Sequence, residues 1–150
     1  MKRMLGLMLA LTVAGAFAVA SQARTAHHPP RHGALHATED CLSSQYAGQA
    51  GGFCTIQSSN LQAITAGSRL FALEAVQGST LDSDLVLYVG PGNEALGHVV
   101  LSRTTRTGEI TFAGGTGSFR RFHARADVSF DGSLWHWDGT YRFTGDHDWR

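Results

Sequence analysis

The amino-acid sequence predicts an all-β domain of seven or eight antiparallel strands. Glycine accounts for 18 of the 150 residues, about 12% where about 7% is usual, and the glycines fall between short apolar runs. Two segments near the C-terminus alternate apolar and polar residues with the period of two that is typical of strands. No segment beyond the N-terminus shows the periodicity of an amphipathic helix. These observations favour a barrel or a large sandwich.

The N-terminus is typical of a cleavable secretory signal. A basic start over residues 1–3 precedes an apolar run over residues 4–19, and small residues follow. This order is that of a signal peptide, and cleavage after Ala20 or after Ala23 fits equally well. The alternative is a membrane anchor, but the run is at or below the roughly 17–20 residues that a span needs. We assign residues 1–23 to the signal and expect a secreted or periplasmic protein without a membrane span after cleavage.

Residues 24–38, RTAHHPPRHGALHAT, differ in composition from both neighbours. They hold four of the eight histidines and two adjacent prolines, and they contain few large apolar side chains. Such a stretch buries too little surface to offset its ordering entropy, so we predict a flexible linker before a domain over residues 39–150. Histidine-rich tracts can collect metal ions, but these histidines lack a fixed ligand spacing and we predict no metal site. They are His27, His28, His32 and His36.

The length and the net charge of the chain exclude several classes of function. Removal of residues 1–23 leaves 127 residues, enough for one domain with a core. Residues 38–150 carry eight arginines against 12 acidic residues, a net charge of −4. This balance excludes a strong binder of nucleic acid, which needs clustered positive charge. No lysine remains after cleavage, so Schiff-base chemistry on a lysine is unavailable. We predict no cofactor.

The chain has two cysteines, Cys41 and Cys54. In an exported protein an isolated pair most simply forms one disulfide. The bridge closes a loop of about 14 residues and contributes roughly 3 kcal/mol in the chain-entropy description. A catalytic thiol or a two-cysteine metal site is the alternative, but no neighbouring residues support either.

Strand character recurs along the domain between turn signals. The earlier runs cover residues 52–57, 68–76, 84–89, 97–103 and 109–113. The clearest alternation covers residues 122–130, and Asp131-Gly132 then gives a hairpin signal. Beyond it, aromatic residues share one strand face and polar residues share the other. The aromatic face holds Trp135, Trp137, Tyr141 and Phe143, and the polar face holds His136, Asp138, Thr140 and Arg142.

The segment FAGGTGSFRRF over residues 112–122 invites comparison with a phosphate-binding loop. Such a loop needs a helix after it, so that the helix N-terminus faces the anion. Here the following residues alternate as a strand, and the lysine of a P-loop is missing. We therefore predict a tight connection between antiparallel strands, in which glycines provide positive φ values.

The same segment, FAGGTGSF followed by a long alternating strand, resembles the F-x-G-G-T-G-x-F turn of the allene oxide cyclase-like and dirigent-like barrels. WHWDGTYRF, DSDLVLYVGPGN and GFCTIQSSNL are similar to segments of small exported bacterial proteins related to them. The resemblance covers roughly residues 41–143. It implies a single eight-stranded antiparallel, calycin-like barrel with a central cavity, and a rim turn shaped by Gly114, Gly115 and Gly117. It also implies association into a dimer or trimer. It transfers no catalytic residues.

Candidate catalytic residues are few, because no hydrolase, zinc-protease or thiol-redox motif occurs. Arg125 and Asp127 share one strand face, which is either a solvated exterior with cross-strand ion pairs or a polar lumen wall that orients a substrate. Glu74 shares a face with apolar residues in the run 68–76. It either points inward, where desolvation suits it to acid–base work, or sits at a strand end beside an arginine.

The aromatic residues Trp135, Trp137 and Tyr141 are core or cavity-lining residues, and their surface could hold a flat apolar ligand. Two functions follow as hypotheses, with the first favoured: an exported barrel that binds a small apolar molecule or a partner protein without catalysis, and a cyclase- or isomerase-like enzyme acting on a lipid- or polyketide-like substrate in the lumen. Whether the protein is an enzyme stays open. A structural protein of the cell envelope is the third alternative.

Overall fold

The computed structural model describes residues 30–145 and shows a closed barrel of eight antiparallel strands. Each strand pairs with its neighbour in sequence, and the first pairs with the last. This confirms the prediction of an all-β, eight-stranded barrel; the predicted signal lies outside the described residues. The strands are β1 (His32–Asp40), β2 (Phe53–Ser59), β3 (Arg69–Ala72), β4 (Thr80–Gly90), β5 (Asn93–Ser102), β6 (Thr107–Gly115), β7 (Phe122–Phe130) and β8 (Trp135–Phe143).

The predicted boundary between linker and domain is too late in the chain. Residues 32–38, assigned to the linker from their composition, form most of β1. This strand closes the barrel, because it pairs with β8 along His32–Glu39 and with β2 near its end. Ladder hydrogen bonds come from the backbone, so a strand with few large apolar side chains is still held on both edges. The rest of the linker, residues 24–29, lies outside the described residues.

The alternation predicted for β7 and β8 is confirmed, and the structure shows which face points into the barrel. The apolar residues of β7, such as Ala126 and Val128, are buried inside the barrel, and the intervening Arg125 and Asp127 are exposed. By contrast, β3 is shorter than the run 68–76 that the sequence suggested.

Large apolar side chains fill one end of the barrel, which we call the closed end. The connection between β2 and β3 turns Leu61 and Ile64 into the interior. The connection between β6 and β7 adds Phe119, which packs edge-on against Phe122 at 5.3 Å between ring centres. All four side chains are at most 3% exposed, so this end is solid core. The opposite end carries the β1–β2, β3–β4, β5–β6 and β7–β8 connections, and we call it the open end.

The glycine-rich segment lies at the closed end between β6 and β7. Gly114, Gly115 and Gly117 have φ values of 97°, 155° and 54°, which side-chain-bearing residues rarely adopt. Only a three-residue 3-10 helix over Gly117–Phe119 follows. Thr116 fastens the turn to β5, donating its backbone N–H to the Glu94 carbonyl and accepting the Glu94 N–H at its hydroxyl. The segment is therefore a strand connection, as predicted.

Candidate functional site

The open end of the barrel leads into a cavity of about 320 Å³. This volume is at the small end of the range of ligand pockets, about 300–1,000 Å³. The lining extends from the exposed side chain of Leu42 to fully buried strand residues, so the cavity opens to solvent. Its walls are mainly apolar, and they include Leu70, Leu85, Val99, Ile110, Val128 and Trp135.

One acidic side chain, that of Glu39, is buried in the wall of this cavity. The alternation of β1 turns Leu35, Ala37 and Glu39 toward the barrel interior. The side chain is only 7% exposed, and its oxygen Oε2 has no hydrogen-bond partner in the described part of the chain. Buried polar groups are nearly always hydrogen-bonded, so Oε2 is available for a hydrogen bond with a molecule in the cavity, water included.

Burial changes the acidity of this carboxyl group. Desolvation raises the pKa of Glu39 from 4.5 to about 7, because the apolar surroundings disfavour the charged form. The nearby indole of Trp137 offsets a smaller part of the rise, although its Nε1 forms no hydrogen bond of normal geometry among the described residues. Near neutral pH the group therefore exists in both protonation states, as proton-transfer groups do.

The hydroxyl of Tyr46, which also has no hydrogen-bond partner among residues 30–145, lies in the same cavity. Tyr46 belongs to the β1–β2 connection, and its ring packs so closely on Gly52 that a Cβ there would overlap it. Burial raises the pKa of the Tyr46 hydroxyl, the positive charge of Arg103 opposes this, and the charge of Glu39 adds to it. The cavity thus offers two hydrogen-bonding groups to one bound molecule.

Two arginines border the mouth of the cavity. Arg103 and Arg106 lie in the β5–β6 connection, and both line the opening while remaining exposed. The guanidinium of Arg106 stacks over the ring of Phe130, 5.6 Å from its centre. Cations at the rim of an apolar cavity raise the local concentration of anions. The mouth is therefore positively charged although the domain is acidic.

The predicted disulfide is confirmed: Cys41 and Cys54 are bonded and both line the cavity. A carboxylate oxygen of Glu39 and the two sulfurs all lie within 4.8 Å of one another. Within residues 30–145, these three side chains form the group whose potential ligand atoms are close enough together to hold a metal ion. Disulfide sulfurs are not thiolates, however, so the bonded pair cannot act as metal ligands.

Glu74 does not point into the barrel. β3 ends at Ala72, and Glu74 is exposed in the following connection. Its carboxylate accepts hydrogen bonds from the Ser83 hydroxyl at 2.8 Å and the Asp84 backbone N–H at 2.6 Å. These hydrogen bonds anchor the β3–β4 connection to β4. The acid–base role that we considered for Glu74 is therefore not supported.

Arg125 and Asp127 also face away from the cavity. Arg125 donates to the carboxylate of Glu109 on β6 at 2.7 Å from Nε. Asp127 lies opposite Glu109 on one side and Asp138 on the other, so the ion-pair ladder that we considered between β7 and β8 does not form at this position. These residues belong to a solvated exterior, and the alternative of a polar lumen wall is overturned.

The three aromatic residues separate along β8. Trp135 lines the cavity, whereas Trp137 is 2% exposed and packs on Phe112 in the core. Tyr141 is buried near the closed end, where its hydroxyl donates to the carbonyl of Pro30 at 3.2 Å. Only Trp135 of the three is placed to touch a ligand in this cavity.

Glu39, the central residue of the site, is not among the candidate residues predicted from the sequence. The strand pattern that places Glu39 on an inward face is visible in the sequence, because Leu35, Ala37 and Glu39 alternate with polar residues. We placed the domain boundary immediately before Glu39, however, and so its strand face was not considered. An acidic residue next to a cysteine-bearing strand end, on an otherwise apolar face, is the pattern that identifies the site.

No protein-family model, curated protein or solved structure matches this chain. The resemblance to allene oxide cyclase-like and dirigent-like barrels therefore stays a prediction. The disulfide indicates a non-reducing compartment. Within residues 30–145, no helix is long and apolar enough to span a membrane.

Proposed function

We propose that this protein is an exported β-barrel that binds a small, mainly apolar molecule in the cavity at its open end. The observation that carries the proposal is the buried carboxyl group of Glu39, whose Oε2 has no hydrogen-bond partner among residues 30–145, in a cavity that opens to solvent. A bound molecule with one polar group would satisfy Glu39 and Tyr46 while its apolar part covers the walls. The N-terminal signal and the resemblance to cavity-bearing barrels support the same role.

Blocking the cavity should abolish this binding. Val99 of β5 lines the cavity, whereas its neighbour Val100 points outward and is 47% exposed. We expect Val99→Trp to weaken binding of the neutral dye N-phenyl-1-naphthylamine by about tenfold or more. If the indole keeps an area of the dye equal to two methylene groups from being buried, the binding free energy falls by about 1.6 kcal/mol. Val100→Trp is the matched control and should bind like the wild type. The measurement is fluorescence titration, with native mass spectrometry of the mature chain to detect a retained molecule.

The proposal fails if the wild-type protein neither retains a molecule nor binds the dye saturably. It fails equally if Val99→Trp and Val100→Trp bind alike, because the dye would then occupy the outer surface.

The acidity of Glu39 favours a second candidate function, proton transfer in an isomerase- or cyclase-like reaction. A carboxyl group with a pKa of about 7 can both donate and accept a proton near neutral pH. A molecule released from the wild type would be returned to the unliganded wild type and to Glu39→Gln. Conversion to an isomer, seen by chromatography with the wild type alone, supports catalysis; an unchanged molecule in both samples counts against it.

A further inference from the structure

We propose that the Cys41–Cys54 disulfide is a redox centre that oxidises a small thiol entering the cavity, with the Glu39 carboxyl group giving its proton to the departing sulfur. This activity goes beyond ligand binding. It requires only that a thiol reach the cavity, so it does not depend on a stably bound molecule.

The first support is the position of the disulfide. Asp40 pairs with Thr55, so Cys41 and Cys54 continue the same antiparallel ladder at the open end. Both cysteines line the cavity, and Cys54 is the more buried of the two. A thiolate entering through the mouth therefore meets Cys41 first and leaves Cys54 as the departing group.

The second support is the carboxyl group beside the sulfurs. Glu39 lies within 4.8 Å of both Sγ atoms, and its Oε2 has no other partner in the described residues. A thiolate formed at buried Cys54 is poorly solvated, so a nearby proton donor lowers the cost of its departure. Burial keeps the pKa of Glu39 near 7, so the proton is present at and below neutral pH.

The charged groups around the site favour an anionic nucleophile. Arg103 and Arg106 border the mouth, and Tyr46 of the β1–β2 connection lines the same cavity as Glu39. The neighbouring Asp40 is turned away, since its carboxylate accepts the backbone N–H groups of Leu42 and Ser43. The attacking thiolate therefore approaches through a positive rim.

The reaction balances with two molecules of thiol. A thiolate RS⁻ attacks Sγ of Cys41, the S–S bond breaks, and its electron pair leaves on Cys54, which takes the proton of Glu39. A second thiolate then attacks the RS sulfur of the mixed disulfide, releasing RSSR and the Cys41 thiolate. The protons given up by the two thiols restore Glu39 and protonate Cys41. Two RSH are oxidised to RSSR, and the protein disulfide is reduced to two cysteine thiols.

The test is the rate at which 2-mercaptoethanol reduces the folded, oxidised mature protein. Samples are quenched in acid, alkylated and counted by mass spectrometry, and each rate is divided by the thiolate concentration. For the wild type we expect this rate constant to rise about tenfold or more between about pH 8.5 and about pH 6, a modest effect for a positioned proton donor. Glu39→Gln, which has no proton to give, should show a flat profile. Asp127→Asn removes an exposed carboxylate remote from the cavity and should follow the wild type.

Three results would overturn the proposal. A flat profile in the wild type would mean that no group of this acidity assists. An equal rise in Glu39→Gln would assign the effect to another residue. A rate that stops increasing with thiol concentration, at a limit that is the same for 2-mercaptoethanol and for dithiothreitol, would mean that the disulfide reacts only after the protein opens, whatever the outcome of the dye titration.

Discussion

Wild-type protein is expected to lose about 3 kcal/mol of its free energy of unfolding as the pH rises from 4.5 to 7, and little more above that. The pKa of Glu39 is raised by desolvation from 4.5 to about 7 in the folded state. Between these values the folded protein binds more protons than the unfolded chain, so stability falls with rising pH. Each unit of pKa difference corresponds to about 1.4 kcal/mol.

Asp40 and Asp131 act below this window, and His98 acts at its upper edge. Hydrogen bonds to backbone N–H groups lower the pKa of Asp40 and Asp131, so these carboxylates stabilise the fold above 3.8 and their contribution is lost in acid. Hydrogen bonding to Asp84 raises the pKa of His98 above 6.5. The stabilisation from His98 is complete below pH 6.5 and is lost as the pH rises through its folded value.

The measurement is urea unfolding at several pH values for the wild type, Glu39→Gln and Asp127→Asn. The difference between wild type and Glu39→Gln isolates Glu39, because the amide does not titrate. We expect that difference to change by about 3 kcal/mol across the window, with Asp127→Asn following the wild type. Parallel curves for wild type and Glu39→Gln would show that Glu39 is solvated in the folded protein.

A buried carboxyl group of this kind is costly for stability. An apolar residue at position 39 would avoid the desolvation of an acid whose Oε2 has no partner in the described residues. Stability therefore does not explain why the cavity wall carries Glu39. Binding, proton transfer and disulfide exchange all give the carboxyl group a partner at the moment of function, which is why all three proposals converge on this residue.

The fold was predictable where local sequence and tertiary structure agree. The alternation in β7 and β8 and the glycines between β6 and β7 encode both the strands and their connection. β1 was not predictable in this way, because its proline- and histidine-rich surroundings resemble a linker. Its strand conformation depends on pairing with both β2 and β8, a condition that only the closed barrel supplies.

The site was less predictable because a strand face does not specify depth along the barrel. Trp135 and Tyr141 share a face, but six residues of strand separate them by about 20 Å. One therefore lines the cavity while the other is buried near the closed end. The inward orientation considered for Glu74 is wrong for a different reason. β3 ends at Ala72, so the alternation that would have turned Glu74 inward ends before reaching it.

Gly115→Ala is expected to destabilise the barrel by about 4 kcal/mol or more, among the largest effects of a single substitution. Gly115 has a φ of 155° and pairs with Ala95 of β5 where the register between β5 and β6 shifts. A Cβ at this position would overlap the backbone carbonyl oxygen of Glu94 and approach the Cα of Ala95 to 2.9 Å. These are backbone atoms, so no rotamer change relieves the contact, and the two strands would have to separate.

The adjacent glycine provides the control. Gly114 has a φ of 97°, but a Cβ there would meet no atom closer than the Arg120 carbonyl oxygen at 3.8 Å. Gly114→Ala should therefore lower the free energy of unfolding by only about 1–2 kcal/mol, the cost of holding an alanine in a left-handed conformation. Urea unfolding of both variants at one pH separates the two causes. Equal losses would mean that φ alone explains the glycines of this turn, whereas a much larger loss at Gly115 shows that the close approach of β5 to β6 requires a residue without a side chain.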